Sequence, residues 1–139
     1  MDKGRTMAEI GQGEIFEYKF LVTDEKVRLF AEATGDDNPI HLDEEQAKKS
    51  IFKTRVAHGM LSAGFVSAVL GTRFPGMGTI YLGQTMKFLK PVFLGDEITV
   101  RLTVLEKNPE KNRLRLETSC FNQKGVQILA GEAQVMPPA

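Results

Sequence analysis

"HGMLSAGFVSAVLGTRF", residues 58 to 74, holds the longest mostly apolar run of the 139-residue chain. Met60, Leu61, Phe65, Val66, Val69 and Leu70 surround the axis of a helix drawn through it. Gly59, Ala63, Gly64, Ala68 and Gly71 fill the remaining positions. A helix that is apolar on nearly every side is a buried one. Its small residues would let a sheet approach the backbone closely. The run falls short of the roughly 20 apolar residues that a bilayer span requires.

Outward from this helix, the flanking patterns are those of strands. Downstream of the break "RFPGMG", the segment 79–89 carries Ile80, Leu82, Met86 and Phe88 at alternate positions. In 96–106 the apolar set is Ile98, Val100, Leu102 and Val104, against Glu97, Thr99, Arg101 and Thr103. In 113–121 Leu114, Leu116 and Cys120 alternate with Arg113, Arg115 and Glu117, and 126–135 completes the series. "NPEKN" and "NQKG" make the turns between them. Such alternation gives one dry and one wet face, as in antiparallel sheets.

Upstream, 14–22 reads as a strand with Phe16, Tyr18, Phe20 and Val22 on one face. Thr23 is an N-cap for a helix through Val27, Phe30, Ala31 and Thr34, which Gly35 ends. Asp43 with Gln46 resembles a capping box that opens a second short helix, and 51–57 reads as an irregular connection. The dry sheet face needs a cover, and only the 58–74 helix is apolar enough. The expected architecture is α+β, an antiparallel β-sheet wrapped around a central buried α-helix. Without repeats or linkers, residues 1–139 read as one domain, with a flexible polar segment over 1–12.

Composition narrows the function. Lys plus Arg and Asp plus Glu number 18 each, so the formal charge is zero. That argues against nucleic acid or an anionic membrane as partner. Trp is absent and no run interleaves aromatic with basic residues, so base-stacking platforms are not expected. Cys120 is alone and forms no internal disulfide, which suits a reducing compartment. The first residues lack the apolar stretch of a secretory signal. The reading is a soluble cytoplasmic protein.

The chemistry concentrates in "GDDNPIHLDE", residues 35 to 44. Pro39 stiffens this segment and pushes Asn38 toward extended geometry. A segment so held can aim Asp36 and His41 at one point, and a carboxylate beside an imidazole orients and activates water. Downstream, "VAHGML" puts Gly59 in the first turn of the apolar helix. Amides there lack intrahelical partners and sit at the positive end of the dipole, where they can hold an oxygen that gains negative charge.

"GDDNPIHLD" followed by "AHGM" resembles the MaoC-like (R)-specific enoyl-CoA hydratases, a family with the hot-dog fold. Every fixed position of their Gly-Asp-x-Asn-Pro-x-His-x-Asp pattern is matched, and the strand–helix order agrees from about residue 14 onward. The resemblance implies that Asp36 and His41 are the catalytic acid–base residues and that Gly59 supplies the oxyanion hole. Asn38 and Ser67 would support the site. It also implies an acyl-CoA thioester substrate, no cofactor beyond the CoA that belongs to the substrate, and a homodimer or a larger assembly of dimers; no metal is expected, because the two histidines lack a close H-x-x-x-H spacing. Rival readings on the same fold are a thioesterase, a 3-hydroxyacyl dehydratase acting on acyl-carrier protein, or a non-catalytic acyl-CoA-binding subunit.

Taken singly, other residues have plainer readings. Asp37 and Glu44 are solvated charges, Asp43 is a helix cap, and Ser62 is a buried helical serine, since Met60 stands where a G-x-S-x-G elbow needs glycine. His58 is read as a helix-start residue, with a second catalytic base as the alternative. Lys48, Lys49, Lys53 and Arg55 are read as a solvated basic surface.

Overall fold

The computed structural model describes residues 3–139. Its five strands are β1 (Ile15–Leu21), β2 (Ile80–Phe88), β3 (Glu97–Asn108), β4 (Arg113–Phe121) and β5 (Gln127–Met136). They form one antiparallel sheet in the order β1-β3-β4-β5-β2. Register lines the inward residues into rows. Tyr18 pairs with Val100, Val100 with Cys120, and Cys120 with Leu129. A second row runs from Phe16 through Leu102 to Thr118.

Across these rows lies α4 (Gly59–Thr72). Leu61, Phe65, Val66, Val69 and Leu70 are buried in the same cluster as Val100, Leu102, Leu116 and Leu129. Phe65 stacks on Phe20 of β1 at 4.4 Å between ring centroids. Each such side chain contributes about 1.5–3 kcal/mol on burial. This is the α+β hot-dog arrangement expected, a sheet curled about a central helix.

Two expectations about that helix are corrected. It is buried on one side only: Met60, Gly64, Ser67, Ala68 and Gly71 are exposed. A Cβ added at Gly64 or Gly71 would meet nothing within 4 Å, so these glycines do not admit the sheet. The periodicity of β2 does not produce a dry face either. Ile80, Leu82 and Phe88 are 54%, 46% and 52% exposed. β2 is one of the sheet's two edge strands and carries a register shift between Tyr81 and Gly83, and most of its residues are exposed.

Within the N-terminal segment, described from residue 3, several contacts tie the chain to the rest of the fold. Gly4 and Arg5 donate backbone hydrogen bonds to Met77 and Pro75, and Met7 and Ile10 are buried. Arg5 also holds Glu14, with Nη2 2.8 Å from Oε1, and that bond keeps the Glu14 carboxyl below its usual range. Two apolar residues three apart in a polar run give too weak a period to read as anything but a tail.

The remaining helices are α1 (Asp24–Thr34), α2 (Pro39–Leu42) and α3 (Glu44–Ala47). Thr23 caps α1 by accepting from the Lys26 amide, and Gly35 ends it at φ 80°, a left-handed conformation that glycine adopts without strain. Asp43 caps α3 as read, accepting from the Glu45 and Gln46 amides.

Where α4 begins, Gly59 lies against Phe88 of β2: an added Cβ would stand 3.0 Å from the ring. Gly59→Ala therefore sets the cost of displacing the half-exposed Phe88 ring against the roughly 1 kcal/mol that alanine gains over glycine in a helix. The cost should shrink when Phe88→Ala removes the ring, a non-additivity that urea denaturation of the four proteins measures. Cys120 is fully buried and its thiol is pushed up to about 12 by desolvation. It should react with a thiol reagent only after the protein is unfolded.

Candidate active site

The turn after α1 carries the acidic member of the site. Asp36 donates its amide to Thr34 Oγ1 at 3.1 Å. Its carboxylate accepts a long contact of 3.5 Å from the Asn38 amide. Asn38 is the N-cap of α2, its side chain accepting from the Ile40 amide at 3.3 Å, and Pro39 is the first helical residue. An amide cap followed by proline is a helix-start signature. The sequence reading took the segment as a stiffened loop because four residues are too few to show a period.

α2 places His41 in the interior, 9% exposed. Its Nδ1 lies 2.7 Å from the Val56 carbonyl oxygen, which can only accept. The proton therefore sits on Nδ1 in the neutral ring, and the Nε2 lone pair is left free.

Residues 55–58 strap this turn to the start of α4. Arg55 Nε donates to the His41 carbonyl at 2.7 Å, and the Val56 amide donates to Ile40 at 3.1 Å. His58 Nε2 lies 2.9 Å from the Asp36 carbonyl oxygen. Arg55 also bonds Asp24 at 2.6 Å; this contact, with Arg28, holds the Asp24 carboxyl below the usual carboxylate range. Arg55 is thus a largely buried clamp rather than part of a solvated basic surface, where exposed Lys48, Lys49 and Lys53 do lie. His58 takes the N-cap position of α4, but its side chain makes no cap bond. Its ring packs on His41 at 3.9 Å and on Phe30 at 4.7 Å.

Asp36, His41, His58 and Gly59 border one cavity of about 480 Å³. Gly59 and Met60 open α4 and border the cavity; amides at a helix start lack partners within the helix and lie at the dipole's positive end. Apolar residues close the remaining walls, among them Ile40, Phe52, Val56, Val92 and Ile128. Such a cavity accepts an apolar chain whose polar head meets a few placed groups.

The sequence-expected residues divide. Asp36, His41 and Gly59 come together at the cavity, and Asn38 shapes the turn from outside it. Ser67 lies on the exposed side of α4 and does not border the cavity of this chain. Ser62, read as a buried helical serine, is buried and also lines the cavity. Lys90 and Phe52 were missed; they meet the site only through the tertiary fold, and no local pattern marks them.

Ligand atoms of Asp36, His41 and His58 all lie within 4.8 Å of one another, a spacing that raises a metal site. The two rings are stacked, with planes 28° apart. A metal must lie near the plane of each ligating imidazole at about 2 Å. Planes stacked in this way do not direct both ring nitrogens at one point that close, which does not favour a shared ion.

The family model described as MaoC like domain matches residues 5–123. The (R)-specific enoyl-CoA hydratase of Rhodospirillum rubrum is 45% identical over 131 residues, covering 94% of this chain and 90% of that protein. The 3-hydroxybutyryl-CoA dehydratase of Methylorubrum extorquens is 47% identical over 130 residues, covering 94% and 81%. Among solved structures, the unliganded R-hydratase PhaJ1 of Pseudomonas aeruginosa superposes with a TM-score of 0.94 at 49% identity, covering 97% of this chain and 86% of that one. With a site built on the family's own motif and matches that run through nearly the whole chain, the protein belongs to the MaoC-like domain family and has its hot-dog fold.

Proposed function

We propose that the chain is an (R)-specific enoyl-CoA hydratase, a hydro-lyase that reversibly adds water to a trans-2-enoyl-CoA to give an (R)-3-hydroxyacyl-CoA. Near-full-length similarity to proteins of that activity supports the reaction class. One observation in the site carries it: His41 spends Nδ1 on Val56 and keeps Nε2 free, a ligand atom of Asp36 lies within 4.8 Å of one of His41, and both residues border a cavity that Gly59 and Met60 of α4 also line.

A water held between Asp36 and His41 attacks C3 of the enoyl thioester. As the C3–O bond forms, the pair takes one proton from the water, and the C2=C3 electrons move onto the thioester oxygen. That enolate oxygen is received by the Gly59 amide at the helix start. Collapse of the enolate returns one proton from the pair to C2, so H and OH are added and the pair is regenerated. No resident cofactor or metal takes part; CoA arrives as part of the substrate. Acid–base assistance of this kind is worth roughly 10²–10⁴-fold.

A second copy of the chain is the partner this reading needs. The exposed apolar edge of β2 and the bare outer side of α4 are continuous with the site through Phe88, Gly59 and Met60. A long apolar edge strand is a surface that proteins normally cover. Pairing β2 with β2 of another copy would cover both features at once.

Asp36→Asn and His41→Ala should each lower kcat by at least about 100-fold with the thermal transition retained. The check is loss of enoyl absorbance with crotonyl-CoA, and no free thiol should appear. Near-normal turnover in either variant rejects the assignment of the pair, and thiol release would make the protein a thioesterase. Leu82→Lys should convert a dimer to monomer in sedimentation. A wild-type protein that sediments as a monomer at micromolar concentration rejects the paired edge.

A further inference from the structure

His58 is a buried titratable group that the proposed reaction leaves unused, and it is 2% exposed. Neither of the plain roles fits it. It stands at the N-cap of α4 without capping the helix, and its Nδ1 is buried without a partner among the described residues. With Nε2 engaged and Nδ1 enclosed, the ring borders the cavity without offering it a free nitrogen. The one bond the side chain makes is from Nε2 to the Asp36 carbonyl, at 2.9 Å.

That bond matters because Asp36 is weakly held by its own side chain. The carboxylate has only the 3.5 Å contact with the Asn38 amide. Its aim is therefore set by the main chain, which is pinned on one side by Thr34 Oγ1 and on the other by His58. His41 has separate anchors, Val56 at its ring and Arg55 at its carbonyl. The two halves of the pair are thus fixed by different residues of the same strap.

We propose that His58 is a positioning residue that sets the aim of the Asp36 carboxylate through its Nε2–H bond to the Asp36 carbonyl. The inference rests on the reading of Asp36 as half of the acid–base pair. A carbonyl oxygen only accepts, so His58 carries its proton on Nε2 and leaves Nδ1 bare. Loss of the donor lets the 36–38 turn shift, and a displacement near 1 Å at a reacting group costs about 100-fold in rate.

Two substitutions of similar volume separate the donor from the packing. The amide nitrogen of His58→Gln reaches where Nε2 stood, whereas His58→Leu has no donor, and both lose the ring. His58→Leu should lower kcat about 10- to 100-fold with KM within about threefold. His58→Gln should stay within about fivefold of wild type. On an Asp36→Asn background, His58→Leu should cost little more, because the residue it positions is already gone. Equal losses in Gln and Leu, a near-normal kcat in Leu, or full additivity with Asp36→Asn overturns the proposal. If His58→Leu does not fold, ¹⁵N NMR of the unsubstituted enzyme decides: an Nε2–H tautomer at His58 supports it, and an Nδ1–H tautomer overturns it. Asp36→Asn measured alone keeps the two readings apart. Normal turnover there removes the pair itself, whereas an inactive Asp36→Asn beside a normal His58→Leu removes only this inference.

Discussion

Burial of one side of α4 against the concave face of the sheet is the constraint from which the rest follows. Leu61, Phe65, Val66, Val69 and Leu70 fix the helix in rotation and along its axis. Once they are seated, the helix N-terminus has one place to be, beside the end of β2, where Gly59 touches Phe88. The amides that open the helix are thus carried by the core element itself. A site on such an element is held more tightly than one on a free loop.

The acid–base turn is attached to that fixed point by hydrogen bonds rather than by packing. The strap from Arg55 to His58 joins Ile40, His41 and Asp36 to the chain immediately before α4. Backbone groups of an irregular segment near the interior need partners, and here they find them in the opposite side of the site. The same bonds that satisfy the connection orient the chemistry. Arg55 extends the link to Asp24 in the first turn of α1, so three segments distant in sequence share one network.

Much of this was legible because period and caps act locally. β1 and β3 alternate cleanly, while β4 and β5 alternate over part of their length, Thr118 to Cys120 and Ile128 with Leu129 being buried in succession. Thr23, Gly35 and Asp43 announced helix ends that the structure has. The Asp36 and His41 positions came from the motif and meet at one cavity. What failed was long-range. The exposure of β2, an edge strand like β1 but without its packing on the core, is declared by no residue in it. Arg55 looks like any surface cation until the fold brings Asp24 and the His41 carbonyl to it. Lys90 and Phe52 reach the site through chain reversals that carry no local mark.

Gly64 and Gly71 sit inside α4 with open space around the position of a Cβ. Each costs a helix about 1 kcal/mol relative to alanine. Among the described residues neither contacts the sheet, and nothing there offsets that cost. The inner side of the helix answers to the core, so mutational tolerance on α4 should split by side: volume must be kept inside, whereas alanine at Gly64 or Gly71 meets no obstacle within a single chain.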